Sequence, residues 1–416
     1  SLDLEFQDGK VEKVEQSTSL GLGIRVLDQG RTGLASTERL SSEAIGLAFK
    51  NACENAKLQD PTKVIMLDAP TEIPDSLLLD LHNPELDQLN LKQLRELGFS
   101  IEDSVKARDK RVVSIPYLGV SRGRNESLLL SSRGVSYTHF SNEVAAWCGP
   151  LLQDGDSRKS GMKILNRREW DPKAGKRVGE EAVEKAAELL NASPIKSAKM
   201  PVVLDEYTAP GFLAMYFRAF SAEAAQRGLS RLKGKLGQKI AVPELTLMDD
   251  PHRPGGKRSC FMDSEGFLTK QLPLIENGIF RNFLYHVESA RKENKTSTGH
   301  ASRGYSGGIS TLSHNLICPT GEYSLNQLCA LEKKCLLVTE LEGQAGCDTV
   351  SGDISIGVQG FLIENGRRVQ PVDSVTVAGN FFDVLNNIQG YGNRYQPELT
   401  HLYIPALLIQ EMSVSG

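Results

Sequence analysis

Hydrophobic and polar positions alternate from the first residues of the chain. Leu2, Leu4 and Phe6 lead into Asp8-Gly9, and Val11 and Val14 follow, which predicts a β-hairpin. Residues 21–27 and 31–35 flank Asp28-Gln29-Gly30 as a second hairpin. The period then lengthens to that of a helix. Ser41 or Ser42 supplies the N-cap, and Ile45, Ala48, Phe49, Ala52 and Ala56 form the expected buried stripe. Residues 70–90, rich in Pro and Asp, predict a connector, and a helix over 91–108 should follow it. Strands are predicted at 112–120, 127–131, 135–140 and 143–148. Asp171-Pro172 opens another helix, with the proline where its missing N–H costs nothing. Val178, Ala182, Val183, Ala186, Leu189 and Leu190 repeat along it, and Asn191-Ala192-Ser193-Pro194 ends it at a domain boundary.

The second half opens with an apolar strand at 200–204, a Pro210-Gly211 break and a predicted helix over 209–227. Strands dominate thereafter. Leu274-Ile275-Glu276-Asn277-Gly278 and Leu362-Ile363-Glu364-Asn365-Gly366 are near-identical reversals, because Asn-Gly suits the two positive-φ positions of a type I′ turn. Short helices are expected at 325–331 and 382–388. The predicted class is α+β. An N-terminal α/β-type sheet-and-helix domain spans 1–195, and a C-terminal antiparallel β-rich domain with few helices spans 196–416.

Composition narrows the function classes. The 416 residues suffice for two or three cores, and 40% hydrophobic with 24% charged residues is ordinary for a globular protein. A net charge of −4 and the absence of any nucleic-acid motif exclude a nucleic-acid partner. The basic stretch at 227–239 reads as a solvated helix end or loop rather than a phosphate site. No apolar run reaches the roughly 18 residues of a membrane span. The amino terminus lacks the basic and apolar regions of a signal peptide. It also lacks Met and starts in strand-like sequence, as expected of a chain whose native form begins before Ser1. Seven cysteines form no C-x-x-C pair, and Cys318, Cys329, Cys335 and Cys347 match no common zinc spacing. Reduced thiols and a cytoplasmic location are the expectation.

Candidate chemistry is sparse. None of the seven histidines precedes Glu in an H-E order, and no two lie three to five residues apart. Any histidine site would need convergence in space, for instance of His286 and His300. Asp249-Asp250-Pro251-His252 could serve acid–base chemistry or a hard cation, but a loop held by Asx turns explains it more simply. The glycine-rich stretch 298–308 fits no phosphate-binding pattern and predicts a mobile loop over a groove. Ser306 is one residue short of a nucleophile elbow. Small and polar residues at 351–355 and 377–380 sit beside strands, where another backbone can approach. His300, Arg303, Gly352, Asp353, Gly379 and Asn380 are therefore the peptide-groove candidates.

Several segments, taken in order, resemble the TldD/PmbA family, once described as modulators of DNA gyrase. They include DGKVEKVEQ at 8–16, GLGIRV at 21–26, GLAST at 33–37, the strand at 200–204, residues 235–251, DSEG at 263–266, and the stretches 341–360 and 376–393. The TldD-type member carries H-E-x-x-x-H on the helix after the 200–204 strand, and a later cysteine ligand. Here Leu213, Ala214 and Arg218 stand in the motif's three places. A hydrocarbon cannot bind zinc, and arginine is not deprotonated to do so. The chain also runs from Gly392-Asn393 to Pro405-Ala406-Leu407-Leu408 without the cysteine-bearing insertion, and Cys347 falls elsewhere. TVAGNFFDVLNNI and VSGDIS match the PmbA (TldE) type, which lacks the zinc motif.

The resemblance implies a cytoplasmic peptidase complex of two related subunits acting on peptides, modified peptide precursors and unfolded segments. This chain would be its metal-free and non-catalytic half, with zinc in a TldD-type partner, or a homodimer where that partner is missing. Two other readings stay open. One is an autonomous metallopeptidase using Asp249, Asp250, His252 and His300. The other is a regulator of DNA gyrase that does not touch DNA.

Overall fold

Four hairpin turns carry the same left-handed pair of residues. Asp8-Gly9, Gln29-Gly30, Asn277-Gly278 and Asn365-Gly366 all have positive φ at both positions, with 49° and 76° in the first and 50° and 74° in the last. That is the type I′ geometry, whose twist matches the strands it joins. The computed structural model that contains them describes residues 1–62, 64–343 and 345–416. It is an α+β fold, with β-rich architecture throughout the C-terminal half.

In the N-terminal half, β1 (Leu2–Gln7) and β2 (Lys10–Gln16) form the first hairpin, and β3 (Leu22–Asp28) with β4 (Arg31–Thr37) the second. Helix α1 (Ser42–Lys57) follows, its N-cap Ser41 accepting from the Ala44 N–H. Ala48, Ala52 and Ala56 are its buried residues, as expected, but Phe49 is 55% exposed. The helix packs on a two-stranded ribbon, so only a narrow i, i+4, i+8 stripe is covered, and Phe49 sits about 100° round from it. The connector contains a 3-10 turn at Ser76–Leu79 and the one-turn helix α2 (Pro84–Asp87).

Helix α3 (Leu91–Arg108) starts at an Asn90/Gln93 capping box. Strands β5 (Val112–Leu130) and β6 (Ser136–Asp154) are each a single long strand where two short ones were expected. The polar stretch between the expected pairs is no turn, because Arg122, Gly123, Arg124 and Asn125 pair in register with Val144, Glu143, Asn142 and Ser141. With β7 (Ser157–Ser160) and β8 (Lys163–Arg167), the sheet runs β2-β1-β5-β6-β7, and β8 also lies on β6. Helix α4 (Ala174–Glu188) begins just after Asp171-Pro172, whose Asp171 accepts from the Lys173 N–H. Leu97, Ile101 and Val105 of α3, with Val178 and Ala182 of α4, bury against Leu4, Val120 and Ala146 of the sheet.

The C-terminal half is built on β9 (Ala198–Leu204). The single helix expected over 209–227 is instead three pieces: α5 (Thr208–Ala214), a 3-10 turn at Phe217–Phe220, and α6 (Ala222–Gln226). Distant backbone causes the break. The Ala222 N–H donates to the Leu284 carbonyl at 3.0 Å, and the Leu284 N–H donates to the Phe220 carbonyl at 2.9 Å. This pairing holds Ser221 extended, and its hydroxyl then caps α6 through the Ala224 N–H.

Strands β10 (Leu247–Asp249), β11 (Leu272–Glu276) and β12 (Ile279–Phe280) come next, followed by the short helix α7 (Val287–Lys292). A small hairpin of β13 (Ala301–Ser302) and β14 (Ser310–Thr311) precedes β15 (Leu316–Ile317) and α8 (Leu325–Ala330). The remaining elements are β16 (Lys334–Glu342), β17 (Asp353–Glu364), β18 (Arg367–Asn380), α9 (Phe381–Leu385), β19 (Ile388–Tyr391), β20 (Leu402–Tyr403) and β21 (Leu407–Ser415).

Two sheets result. One runs β12-β11-β10-β15-β20. In the other, β18-β17-β16-β9-β21 closes into a barrel because β21 also pairs with β18, and β19 is added outside this ring. Val202 and Leu204 of β9, with Leu336 and Val338 of β16, join Phe212, Leu213, Tyr216 and Phe381 in the largest core. Val203, Leu337 and Leu408 face the other way and pack with Leu328 of α8. Among the described residues no helix is long and apolar enough to cross a membrane.

Candidate functional site

Helix α5 is anchored by a buried carboxylate at its start. Oδ1 of Asp205 accepts from the Tyr207 N–H, the Thr208 N–H and the Thr208 hydroxyl, all at 3.0 Å or less. Burial pushes this acid up to about 6, against the pull of the Thr208 hydrogen bonds. One turn on, Leu213 is 3% exposed within the apolar core, and Ala214 is half-buried beside it. Arg218 lies on the 3-10 turn, exposed to solvent. Two of the three zinc-motif places thus present hydrocarbon, and the third presents a cation on a different element. A zinc ion of the kind the family's motif holds does not fit here.

Four of the groove candidates meet close to this helix. Asp353 pairs with Asn380 and Ile354 with Gly379 at the open end of the β17–β18 hairpin. The Asn380 amide donates to Asp353 Oδ1 and to the Ser351 carbonyl, both at 3.0 Å, and its oxygen accepts from the Phe382 N–H. Gly352 has φ of +84°, and a Cβ there would stand 2.8 Å from the Phe382 ring. Only glycine serves both demands. Tyr216, at the C-terminal end of α5, stacks on Phe381 with ring centroids 4.6 Å apart and donates its hydroxyl to the Asp353 carbonyl at 2.9 Å. The end of the hairpin is therefore tied to the degenerate helix.

The other two candidates lie elsewhere. Arg303 donates to the Gly307 carbonyl and reaches the Ile24 carbonyl of β3. The loop expected to be mobile is a latch instead. The Tyr305 hydroxyl donates to Glu38 at 2.6 Å, and a Cβ on Gly23 would stand 2.1 Å from the Tyr305 carbonyl oxygen. Arg25 and Glu265 add an ion pair at 2.7 Å between the same two regions. The first domain's second hairpin is fastened to the C-terminal half by these contacts.

His300 lies at the centre of a buried cluster. Its Nε2 is 2.7 Å from Asp249 Oδ2, and Nδ1 of His314 is 2.8 Å from the same oxygen. The His314 N–H donates to Asp249 Oδ1 at 2.7 Å. Burial opposes the charge on Asp249, but the two imidazoles outweigh it and hold the carboxyl at about 2. Burial holds His300 below the usual imidazole range despite Asp249. On His314 burial is outweighed by Cys260 and Asp249, which raise it to about 10. Within the cluster, Asp249 is thus the buried acceptor that both imidazoles bond.

Of the sequence-predicted acid–base set, Asp249 and His300 come together. Asp250 only closes an Asx turn onto the His252 N–H, as the loop reading expected. His252 bonds Thr269. His286 does not converge with His300; it is buried apart, 3.8 Å from Glu223. His314 carries no sequence signal that singles it out, because the fold alone brings it to Asp249.

Comparison with known proteins places this architecture. The PmbA/TldA metallopeptidase C-terminal domain matches residues 197–416, the family's domain 1 matches residues 1–56, and its central domain matches residues 84–190. The Metalloprotease PmbA of Escherichia coli O157:H7 is 29% identical over 98% of this chain and 88% of its own length. The PmbA homologue of Haemophilus influenzae is 28% identical over the same shares. A crystal structure from Thermotoga maritima, whose name calls the protein a modulator of a DNA gyrase, superposes with a TM-score of 0.89. It is 26% identical and is covered to 93%, with all of this chain aligned. TldE from Thermococcus kodakarensis shares the fold, with a TM-score of 0.84, 24% identity, and coverage of 100% of this chain and 94% of its own. The chain belongs to the TldD/PmbA family.

Proposed function

We propose that this chain is the non-catalytic, PmbA/TldE-type subunit of a two-subunit zinc peptidase. The observation that carries the reading is the state of the motif helix. Leu213, Ala214 and Arg218 offer neither ligand nor general base, and the Ser221–Leu284 pairing takes residue 218 off the helix. A TldD-type partner would supply the zinc, which polarises the scissile carbonyl and activates water. This chain would close the chamber and hold an extended peptide or unfolded segment against its β-rich half. The polar end of the β17–β18 hairpin, beside α5, is the surface offered to that partner or to the peptide. The complex would work in the cytoplasm. Where the partner is missing, two copies of this chain would take its place as a homodimer.

The test is cleavage of an unfolded peptide by this chain alone, by a TldD-type partner from the same source alone, and by the two mixed. Activity that requires the partner and stops on chelation supports the reading. Cleavage by this chain alone would overturn it. An autonomous peptidase built on Asp249 and His300 meets a physical obstacle, because both side chains are shut off from solvent. A net charge of −4 argues against gyrase regulation through direct DNA contact.

A further inference from the structure

We propose that Asp249, His300 and His314 form a buried site for a divalent metal of the zinc class, separate from the degenerate peptidase helix. The three offer one carboxylate oxygen and two imidazole nitrogens within 4.8 Å of one another. Their side chains are 0%, 0% and 9% exposed. Two imidazoles and a carboxylate are a borderline donor set that suits zinc and its neighbours better than calcium or magnesium. Full enclosure marks a structural site rather than a catalytic one, since a catalytic metal keeps an open position.

The surrounding hydrogen bonds fit ligation. The Oδ1 of Asp249 is held by the His314 N–H at 2.7 Å, which aims the other oxygen at the two rings. The Nδ1 of His300 lies 2.9 Å from the Thr298 hydroxyl. With Nε2 on a metal, Nδ1 must carry the proton and donates it to Thr298, whose own hydroxyl then donates to the Tyr285 carbonyl at 3.2 Å. Every group in that chain is satisfied with one tautomer, the arrangement that supports metal-bound histidines generally.

The placement gives the site a task. His300 stands immediately before β13, and His314 follows β14, so a metal held by both pins the two ends of that hairpin to β10 through Asp249. The hairpin's loop is the latch that carries Arg303 and Tyr305. Metal binding would therefore fix the attachment of the N-terminal hairpin to the C-terminal half.

The experiment uses the full chain, without an affinity tag, purified under reducing conditions. It is loaded with zinc or cobalt(II), desalted, and assayed by mass spectrometry for metal. About one equivalent of zinc is expected, together with a higher Tm than the chelator-treated chain and slower trypsin cleavage after Arg303. Cobalt should give visible d–d bands that a chelator removes. His300→Gln and His314→Gln, shown by circular dichroism to be folded, should each hold no metal. A wild-type chain that retains no metal, with Tm unmoved by zinc or chelator, would overturn the proposal. So would a folded double variant that keeps its equivalent.

Discussion

Ser221 pairs with Leu284 as a two-residue parallel bridge, and that pairing decides what the preceding helix can present. A continuous helix would keep residues 213, 214 and 218 within an arc of about 140°, because each residue advances about 100° and 214 then falls between the other two. The bridge holds Ser221 extended, and the chain tightens into a 3-10 turn ahead of it. Residue 218 then projects from a turn of different pitch. The loss of the zinc motif is therefore conformational as well as chemical.

Arg218→His alone is expected to give no zinc-dependent cleavage, since Leu213 and Ala214 still lack a ligand and a base. Restoring all three letters with Leu213→His, Ala214→Glu and Arg218→His should also give none. Burying an imidazole in place of Leu213 should instead cost about 3 kcal/mol. Peptide cleavage, bound zinc and urea unfolding of the triple variant check this together, and zinc-dependent turnover would show that the helix re-forms.

Asp205 makes stability depend on pH in a defined direction. Its folded pKa of about 6 lies above the ordinary aspartate value, so the folded chain holds the proton more tightly than the unfolded one. Stability should be fully present below about pH 4 on this account and fall as pH rises towards 6, by at most about 3 kcal/mol. All three donors bond the same oxygen, so Asp205→Asn can keep them. The variant should lose this pH dependence and match or exceed the parent at pH 7.5. Urea midpoints across the range measure it.

Tyr216→Phe removes the hydroxyl that satisfies the Asp353 carbonyl while keeping the stack on Phe381. A loss of about 1 kcal/mol is expected. Hydrogen exchange should quicken at the Asp353 end of β17 and remain slow in β9. Uniform quickening in both strands would mean that the bond does not act locally.

Gly23→Ala should unfasten the latch, because its Cβ would overlap the Tyr305 carbonyl. Limited trypsin digestion should then cut after Arg303 sooner than in the parent. Tyr305→Phe, which loses only a solvent-exposed bond to Glu38, should change stability by about 0.5 kcal/mol or less.

Much of the fold is legible in the sequence where its causes are local. Asn277-Gly278 and Asn365-Gly366 state their turns outright, and Ser41 marks the start of α1. Phe49 misleads because the pattern shows only that a face is apolar, while the width of the covering ribbon decides how much of it is buried. The break at Ser221 is invisible for a similar reason, since its cause is the backbone of Leu284. At the candidate site, the two missing ligands and the missing base are plain in the letters at 213, 214 and 218. Asp249 and His300 could be named but not joined, and His314 had nothing to mark it until the β10–β15 pairing brought it alongside.

The barrel carries a consequence for how the protein is made. Its ring starts with β9 at Ala198 and is closed only when β21 pairs with both β9 and β18, at residues up to Ser415. During synthesis β9 and β18 leave the ribosome with bare edges and wait for a strand not yet translated. Open edges of this kind invite pairing with other nascent chains. The N-terminal sheet, by contrast, can pair all its strands and receive α3 and α4 as soon as residue 188 has emerged. The chain is thus exposed to aggregation mainly in the interval before its C-terminal strand arrives.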